Sequence, residues 1–189
     1  PSADLIMFAR QIELSYRIDD VRAADDSWAA ATPDTCVAVL DGADRFAREH
    51  LGPLNHAMDQ TGCTLNGERV ITAPGHKQAW AEYVAAGWPT LESPEEFGGQ
   101  GLPAVLSFAA QELFDRACPA FGMLPVPQRS AFRLIRAFGT DEFKAQWLLR
   151  LASGEWGATI CVSEVGAGSD LARASTQAVP NGDGTWSVT

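Results

Sequence analysis

Residues 138–171 read FGTDEFKAQWLLRLASGEWGATICVSEVGAGSDL, and the pattern of apolar residues changes within this stretch. Thr140 can cap a helix, and Asp141 and Glu142 suit the first turn of that helix because its N-terminal end is electropositive. From Gly157 to Ser163 the chain becomes apolar and β-branched, which predicts a short strand. The stretch therefore predicts a helix, then a strand, then a turn rich in glycine.

The sequence before this stretch predicts further helices. Thr32-Pro33 is typical of a helix start, and Gly52-Pro53 predicts its end or a bend. Asn66-Gly67 lies between two short apolar runs and predicts a hairpin. Other helices are predicted to follow Pro74, Pro103 and Pro125. On the last two helices before residue 153, the side chains predicted to face the core are Ala131, Leu134, Ile135, Phe138, Phe143, Trp147, Leu148 and Leu151.

The sequence after the glycine-rich turn predicts two more strands, at Ser175–Val179 and Thr185–Thr189, with a turn between them. A sheet of so few strands leaves backbone donors and acceptors unpaired at its edges. We therefore predict a mainly α chain in three parts. These are an N-terminal arm at 1–34, a helical domain at 35–154, and the start of an incomplete β domain at 155–189.

The composition bounds the classes of function. The 189 residues include 14 Lys and Arg against 24 Asp and Glu, a net charge of −10, which argues against a nucleic-acid partner. The longest uncharged run, 97–111, is shorter than the ~20 apolar residues of a spanning helix, so no membrane association is predicted. The four cysteines are scattered without a CxxC pair, which is typical of reduced thiols and predicts a cytoplasmic protein.

The segment CVSEVGAGSDL at 161–171 is the densest candidate for a binding site. Glycine lets the backbone approach a ligand closely, and the amides of Gly166 and Gly168 can point at an anion beside the Ser169 hydroxyl. Such a loop suits a phosphate or pyrophosphate group. The same residues are also typical of a plain turn between two strands.

Several motifs together resemble the acyl-CoA dehydrogenases, a family of flavoproteins. They are FGTDEFK at 138–144, SGEW at 153–156, CVSE at 161–164, GAGSD at 166–170 and EEFGGQGLP at 95–103. DQTGC at 59–63 and PGHK at 74–77 resemble the longer branch of the family, which includes 3-methylmercaptopropionyl-CoA dehydrogenase. The resemblance covers about residues 35–189.

The resemblance implies an N-terminal helical domain of the acyl-CoA dehydrogenase type, followed by the first strands of a truncated β domain. It implies FAD as cofactor, an acyl-CoA substrate, and an electron-transfer flavoprotein or similar acceptor for a homo-oligomeric full-length enzyme. In the implied reaction a carboxylate removes the α proton of the thioester while a hydride leaves the β carbon for the flavin. The family's catalytic Glu lies beyond Thr189, so no catalytic residue is assigned.

The resemblance also implies positions for the ligands. The residues placed at the cofactor are Ile160, Val162 and Ser163 at the flavin, with Gly168 and Ser169 at its pyrophosphate. The residues placed at the substrate are Ser169, Phe121 and Met123, although a Phe and a Met at helical spacing more often belong to the core. Ser163 replaces the usual Thr and keeps the hydroxyl, whereas Val165 replaces the usual Pro and removes a rigid turn. Glu164 matches a structural position rather than a catalytic one.

Other candidate sites are weaker. His50, His56 and His76 do not share a helix face or pair with cysteines, so no metal site is predicted. A basic stripe at Arg129, Arg133 and Arg136 is predicted to be a solvated helix face. Two alternatives to the dehydrogenase stay open: a flavin oxidase or monooxygenase on the same scaffold, and a non-catalytic helical module for binding or assembly. For the isolated chain we predict little bound FAD, because the loop supplies one side of a cleft.

Overall fold

The computed structural model describes residues 17–189, so the part of the predicted N-terminal arm before Arg17 lies outside the described residues. Helices make up most of its regular structure. In chain order they are α1 (Ile18–Ala24), α2 (Pro33–Phe46), α3 (Asn55–Thr61), α4 (His76–Ala85), α5 (Ala104–Ala117), α6 (Pro119–Gly122), α7 (Pro125–Phe138) and α8 (Asp141–Ala152). None of the helices between residues 17 and 189 has the length and apolar character needed to cross a membrane.

Two antiparallel hairpins accompany the helices. β1 (Thr64–Asn66) pairs with β2 (Arg69–Ile71) around the predicted Asn66-Gly67 turn. β3 (Ala178–Pro180) pairs with β4 (Trp186–Val188). The chain divides into two compact units, one ending at Ala158 and the other formed by Thr159–Thr189. The architecture confirms the prediction of a mainly helical chain with a few strands near its C-terminal end.

Hydroxyl side chains define the starts of two helices, as the sequence predicts. Thr32 precedes α2 and its Oγ accepts a hydrogen bond of 3.2 Å from the amide of Thr35. Thr140 precedes α8 and accepts one of 3.3 Å from the amide of Phe143. Each cap satisfies an amide that has no partner within the helix, which fixes where the helix begins.

The predicted break at Gly52-Pro53 is a bend. After α2 the chain forms a π-helical turn at Ala47–Leu51 and a 3-10 turn at Gly52–Leu54 before α3 begins. Proline has no amide hydrogen to donate, so the regular α-helical hydrogen bonding cannot continue through Pro53. The chain therefore remains helical but leaves the regular α-helical pattern here.

A cluster of aromatic rings forms the centre of the helical unit. Phe114 on α5 is 1% exposed, and its ring lies 5.2 Å from that of Trp88, 5.5 Å from that of Tyr83 and 5.8 Å from that of Phe46. All three contacts are edge-to-face, the arrangement that aromatic quadrupoles favour. These rings join α2, α4 and α5 into one core.

A compact loop at 88–102, hereafter the 88–102 loop, covers one end of this core. It folds back on itself through backbone hydrogen bonds, including Gly101 N to Ser93 O and Leu102 N to Leu91 O, both 2.9 Å. Gly99 lies so close to Ser93 that a Cβ atom at residue 99 would overlap the Ser93 backbone carbonyl. The turn therefore accommodates glycine at residue 99, because glycine has no Cβ atom.

α7 and α8 pack on each other through a smaller cluster of Phe132, Leu148, Leu151 and Ala152. The predicted inward side of α7 is observed in part, since Ala131 and Ile135 pack against this cluster whereas Leu134 is 61% exposed and Phe138 83% exposed. Phe143 on α8 is also largely exposed, whereas Leu148 and Leu151 are buried as predicted. Helical spacing identifies an apolar face but not the neighbour that covers it, and here α7 turns Phe132 and Gln128 inward instead.

The predicted strand at Gly157–Ser163 is wrong, because this segment has no regular secondary structure. A strand needs a neighbour that accepts and donates its backbone hydrogen bonds, and between residues 159 and 189 the only paired strands are β3 and β4. Apolar and β-branched residues give a segment the propensity for a strand without supplying that neighbour. The predicted strand at Ser175–Val179 is observed in part, as β3.

Candidate functional site

The glycine-rich loop, residues 164–170, begins with a tight turn. The amide of Glu164 donates to the Ala167 carbonyl at 2.8 Å, and the amide of Ala167 donates back to the Glu164 carbonyl at 3.2 Å. Val165 lies at the tip of the turn with its side chain fully exposed. The backbone hydrogen bonds therefore form a defined turn even though Val165 occupies the position where the family usually has Pro.

The Glu164 carboxylate connects this turn to the segment before β3. It accepts hydrogen bonds from the Ser175 amide at 2.7 Å, the Ser175 hydroxyl at 3.0 Å and the Thr176 amide at 3.0 Å. The hydrogen bond from the Ser175 amide, together with those from Thr176 and the Ser175 hydroxyl, lowers the pKa of Glu164 to about 2. A carboxylate held in its charged form by three donors is a poor proton acceptor near neutral pH. Its role is to hold the loop.

The middle of the glycine-rich loop presents free backbone donors. Among the hydrogen bonds of residues 159–189, none comes from the amides of Gly166, Gly168 or Ser169. A Cβ atom placed at Gly166 or Gly168 would meet no described atom within 4 Å. Consecutive unpaired amides beside open space can hold a phosphate or pyrophosphate group.

The segment before the loop is extended and exposed. Ile160 is 54% exposed, Val162 is 49% exposed, and Ser163 is also at the surface. None of these predicted cofactor residues is packed away in a closed core. They can therefore reach a ligand, and their assignment to the flavin stays a prediction.

The two residues predicted at the acyl chain occupy different environments. Phe121 on α6 is 0% exposed, and its ring lies 5.5 Å from that of Tyr83 and 6.0 Å from that of His76. Met123, in the corner between α6 and α7, is 70% exposed. Phe121 is a core residue in this structure and has no surface to offer a substrate, whereas Met123 has one.

A network of polar groups between α5 and α7 was not predicted from the sequence. Arg129 donates to the Ser107 hydroxyl at 2.7 Å and to Gln111 Oε1 at 3.0 Å, and the guanidinium lies 5.8 Å from the Phe108 ring. The prediction of a solvated basic stripe is therefore wrong for Arg129, which is partly buried against α5. Arg133, on the same stripe, pairs with Glu92 at 2.7 Å. Amphipathic patterns treat polar residues as external, so they overlook polar pairs between helices.

The histidines lie apart from this network. His50 Nδ1 is 2.7 Å from Glu82 Oε2, and the His50 ring stacks on Phe46. His76 packs against Phe121, and burial lowers the pKa of its imidazole. Within residues 17–189, no three His, Cys, Asp or Glu side chains come together in a way that could hold a metal ion.

Most of the helical unit matches a known protein family. The family model for the acyl-CoA dehydrogenase N-terminal domain matches residues 33–155, more than half of the 189-residue chain. This chain belongs to the acyl-CoA dehydrogenase family. The match includes α2 through α8 and ends just before the extended segment that leads to the glycine-rich loop.

Individual relatives agree with the family assignment. 3-Methylmercaptopropionyl-CoA dehydrogenase from Ruegeria pomeroyi is 37% identical over 82% of this chain and 26% of its own length. The acyl-CoA dehydrogenase of Bacillus anthracis, solved in complex with FAD, is 25% identical with a TM-score of 0.66, over 82% of this chain and 25% of its own. A chain from the electron transferring flavoprotein structure of Acidaminococcus fermentans is 25% identical with a TM-score of 0.67, over 81% of this chain and 37% of that one. This acyl-CoA dehydrogenase chain thus spans about a quarter to two fifths of the length of these relatives.

The hydrogen bonds to Glu164 lead to a testable pH dependence. The pKa of Glu164 is about 2 in the folded chain against an ordinary value of 4.5, so its stabilising effect is complete above pH 4.5 and is lost as the pH falls from 4.5 towards 2. We expect Glu164→Gln to weaken the contacts to Ser175 and Thr176 at neutral pH, because the neutral amide accepts hydrogen bonds less strongly. Protection factors for these two amides from hydrogen exchange measure the effect.

The matched control for this prediction is Glu155→Gln, since no described group donates a hydrogen bond to the Glu155 carboxylate. It should leave both protection factors unchanged. Equal protection in wild type and Glu164→Gln at neutral pH would contradict the proposed role of the Glu164 carboxylate.

Proposed function

We propose that this chain is the N-terminal part of an FAD-dependent acyl-CoA dehydrogenase, which forms a double bond between the α and β carbons of an acyl-CoA thioester. The observation that carries the proposal is the family match over residues 33–155. The geometry of the glycine-rich loop supports it independently. The unpaired amides and the open space at Gly166 and Gly168 suit a dinucleotide phosphate.

The residues present fit one side of an FAD site. Gly168 and Ser169 would hold the pyrophosphate through backbone amides and the Ser169 hydroxyl, and we also assign Ser169 to the phosphates of acyl-CoA. Ile160 and Val162 offer exposed apolar surface for a flat aromatic ring system, and Ser163 offers a hydroxyl at its edge. FAD, when bound, supplies the acceptor for the hydride that leaves the β carbon.

Met123 is the residue of the helical unit that we place at the acyl chain. An alkyl chain needs an apolar wall, and Met123 has an exposed, flexible thioether side chain that adapts to different shapes. We assign Phe121 the supporting role that its burial indicates. Its ring packs under the corner and joins it to the aromatic core.

No residue of this chain is assigned as the catalytic base. Glu164 adjoins the proposed cofactor residue Ser163 in sequence, but its three hydrogen bonds keep it ionised and engaged. Under this proposal the base that removes the α proton belongs to the region that follows residue 189 in the longer relatives. The chain's own contribution is to bind and orient cofactor and substrate.

The resemblance extends the proposal to the cellular context. We propose that the full-length enzyme is a cytoplasmic homo-oligomer of fatty acid metabolism that passes its electrons to an electron-transfer flavoprotein or a similar acceptor. A flavin oxidase on the same scaffold would share the loop geometry and differ in passing electrons to oxygen.

Anaerobic mixing of the full-length protein with acyl-CoA thioesters tests the proposal. We expect loss of the visible absorbance of oxidised flavin on mixing, with slow return of the colour when oxygen is admitted. Rapid return with formation of hydrogen peroxide would indicate an oxidase. A full-length protein that contains flavin but is reduced by no acyl-CoA would contradict the proposal.

The isolated chain should behave differently from the full-length protein. We expect residues 1–189 alone to retain little FAD after gel filtration, because the glycine-rich loop supplies only one side of the cofactor. The absorbance of flavin eluting with the chain measures this. Elution of one flavin per 189-residue chain would contradict this prediction, because the glycine-rich loop would then bind FAD without another side to the site.

A further inference from the structure

Gln111 on α5 joins three elements of the helical unit. Its side chain is 5% exposed, and its amide nitrogen donates to Asp115 Oδ1 at 2.7 Å and to the Gly122 carbonyl at 2.8 Å. Its amide oxygen accepts from Arg129 Nη2 at 3.0 Å. One buried side chain thus connects α5 to the corner between α6 and α7 and to α7 itself.

The corner rests directly on α5 at this point. A Cβ atom at Gly122 would overlap the Asp115 carboxylate, so the backbone of residue 122 lies against the side chain that Gln111 also contacts. The residue that follows Gly122 is Met123, whose side chain is exposed. Any shift of the Gly122 carbonyl therefore moves the backbone that carries Met123.

The charges around Gln111 fix the orientation of its amide. Arg129 makes no ion pair among the described residues, and its guanidinium donates to the oxygen of the Gln111 amide. The nitrogen of the same amide faces the Asp115 carboxylate. A flipped amide would place N–H groups against the guanidinium and oxygen against the carboxylate, which is unfavourable on both sides. Arg129 and Asp115 together thus keep the amide donor pointed at Gly122.

We propose that Gln111 is a positioning residue that sets the place of Met123 and, through it, the acyl-chain length that the enzyme prefers. This inference rests on the proposed function, in which Met123 forms part of the acyl pocket. A pocket of fixed depth discriminates between substrates that differ by a methylene, typically by about tenfold or more in kcat/KM. If the α6–α7 corner no longer contacts α5, Met123 can move. The enzyme then discriminates less between acyl chains of different length.

The test compares two buried glutamines in the full-length enzyme. Gln111→Met removes the donor to Gly122 while keeping a side chain of similar size. Gln128→Met is the matched control, because Gln128 on α7 is 4% exposed and its amide nitrogen donates to the Leu151 carbonyl at 2.6 Å, away from the corner. Both variants lose buried hydrogen bonds and should be destabilised, Gln111→Met more than Gln128→Met because it also loses the contacts with Asp115 and Arg129. The readout is kcat/KM for straight-chain acyl-CoAs of increasing length.

We expect Gln111→Met to reduce the ratio of kcat/KM between the preferred chain length and its neighbours by about tenfold, with the Gln128→Met ratios unchanged. Gln111→Glu provides a second variant should Gln111→Met fail to fold. A glutamate side chain accepts a hydrogen bond from Arg129 but cannot donate one to Gly122. It should therefore reduce the dependence of kcat/KM on chain length in the same way. The inference would be overturned if the Gln111 variants kept the wild-type dependence of kcat/KM on chain length, or if Gln128→Met reduced that dependence equally.

These outcomes are distinct from failure of the proposed function. If wild type oxidises no acyl-CoA of any length, the dehydrogenase assignment fails and the inference fails with it. If wild type shows a clear chain-length preference that the Gln111 variants retain, the dehydrogenase assignment stands and only the role of Gln111 is wrong.

Discussion

Replacing Phe114 with alanine is expected to lower the free energy of unfolding by about 4 kcal/mol, the typical cost of removing a buried phenyl ring. Phe114 is 1% exposed and contacts the rings of Phe46, Tyr83 and Trp88 edge to face. The substitution leaves a cavity that three large rings on other elements cannot fill without losing their own packing. It also removes three aromatic contacts that each add to the energy of burial.

Chemical denaturation of the isolated chain measures this loss, and Phe108→Ala is the control on the same helix. Phe108 is 56% exposed, and its ring contacts the guanidinium groups of Arg129 and Arg133. Removing an exposed ring costs about 1 kcal/mol or less, mainly the cation–π contacts. Similar losses for the two variants would show that Phe114 is not at the centre of the core.

The second large effect is expected at Gly99, where alanine should lower the free energy of unfolding by about 2 to 3 kcal/mol. The new Cβ atom would overlap the Ser93 carbonyl, which belongs to the backbone and cannot rotate away. The 88–102 loop would have to open, at the expense of the Gly101–Ser93 and Leu102–Leu91 hydrogen bonds. Because Leu91 and Leu102 belong to the loop and are buried, opening also exposes apolar surface.

Gly157→Ala is the control variant. It reduces backbone freedom as Gly99→Ala does, but it introduces no close contact. No described atom lies within 4 Å of a Cβ placed at Gly157, and its φ is not in the left-handed region. This variant should change the unfolding free energy by less than about 1 kcal/mol, whereas Gly99→Ala should be destabilised well beyond that. Circular dichroism during denaturation distinguishes the two results. A Gly99→Ala protein as stable as Gly157→Ala would contradict the close contact with Ser93.

Phe114 and Gly99, the residues of the two stability predictions, lie in the same helical unit as Gln111. The aromatic core around Phe114 holds α2, α4 and α5 together, and α5 also carries Gln111. The Gln111 amide then fixes the α6–α7 corner and Met123. Loss of the core should therefore impair every function of the unit, while loss of the Gln111 contact should alter selectivity.

The sequence was most informative where one residue type serves one local purpose. Thr32 and Thr140 begin helices in the structure as predicted, because a hydroxyl at the cap satisfies an amide close to it in the chain. The Asn66-Gly67 turn forms its hairpin for a similar reason, since glycine at residue 67 adopts the positive φ of 62° that the turn requires. The family resemblance also rests on short local motifs.

The sequence was least informative where a segment depends on a distant partner. Gly157–Ser163 has the residues of a strand but no paired neighbour. The apolar spacing of α7 predicts four inward side chains, of which Leu134 and Phe138 are exposed. Arg129 was predicted to be solvated, yet it is bound to α5. In each case the side chain's environment is set by an element far away in the chain, which spacing alone does not identify.

Caps, turns and helix bounds in this protein follow from the sequence by itself, because the hydrogen bonds that determine them join residues within a few positions of each other. The network around Gln111 depends on the tertiary structure. Its polar atoms come from residues 107 to 129 on three separate elements, and the packing of α6 and α7 against α5 brings them within hydrogen-bond distance. The same packing leaves Met123 at the surface while Phe121, two residues earlier, is buried.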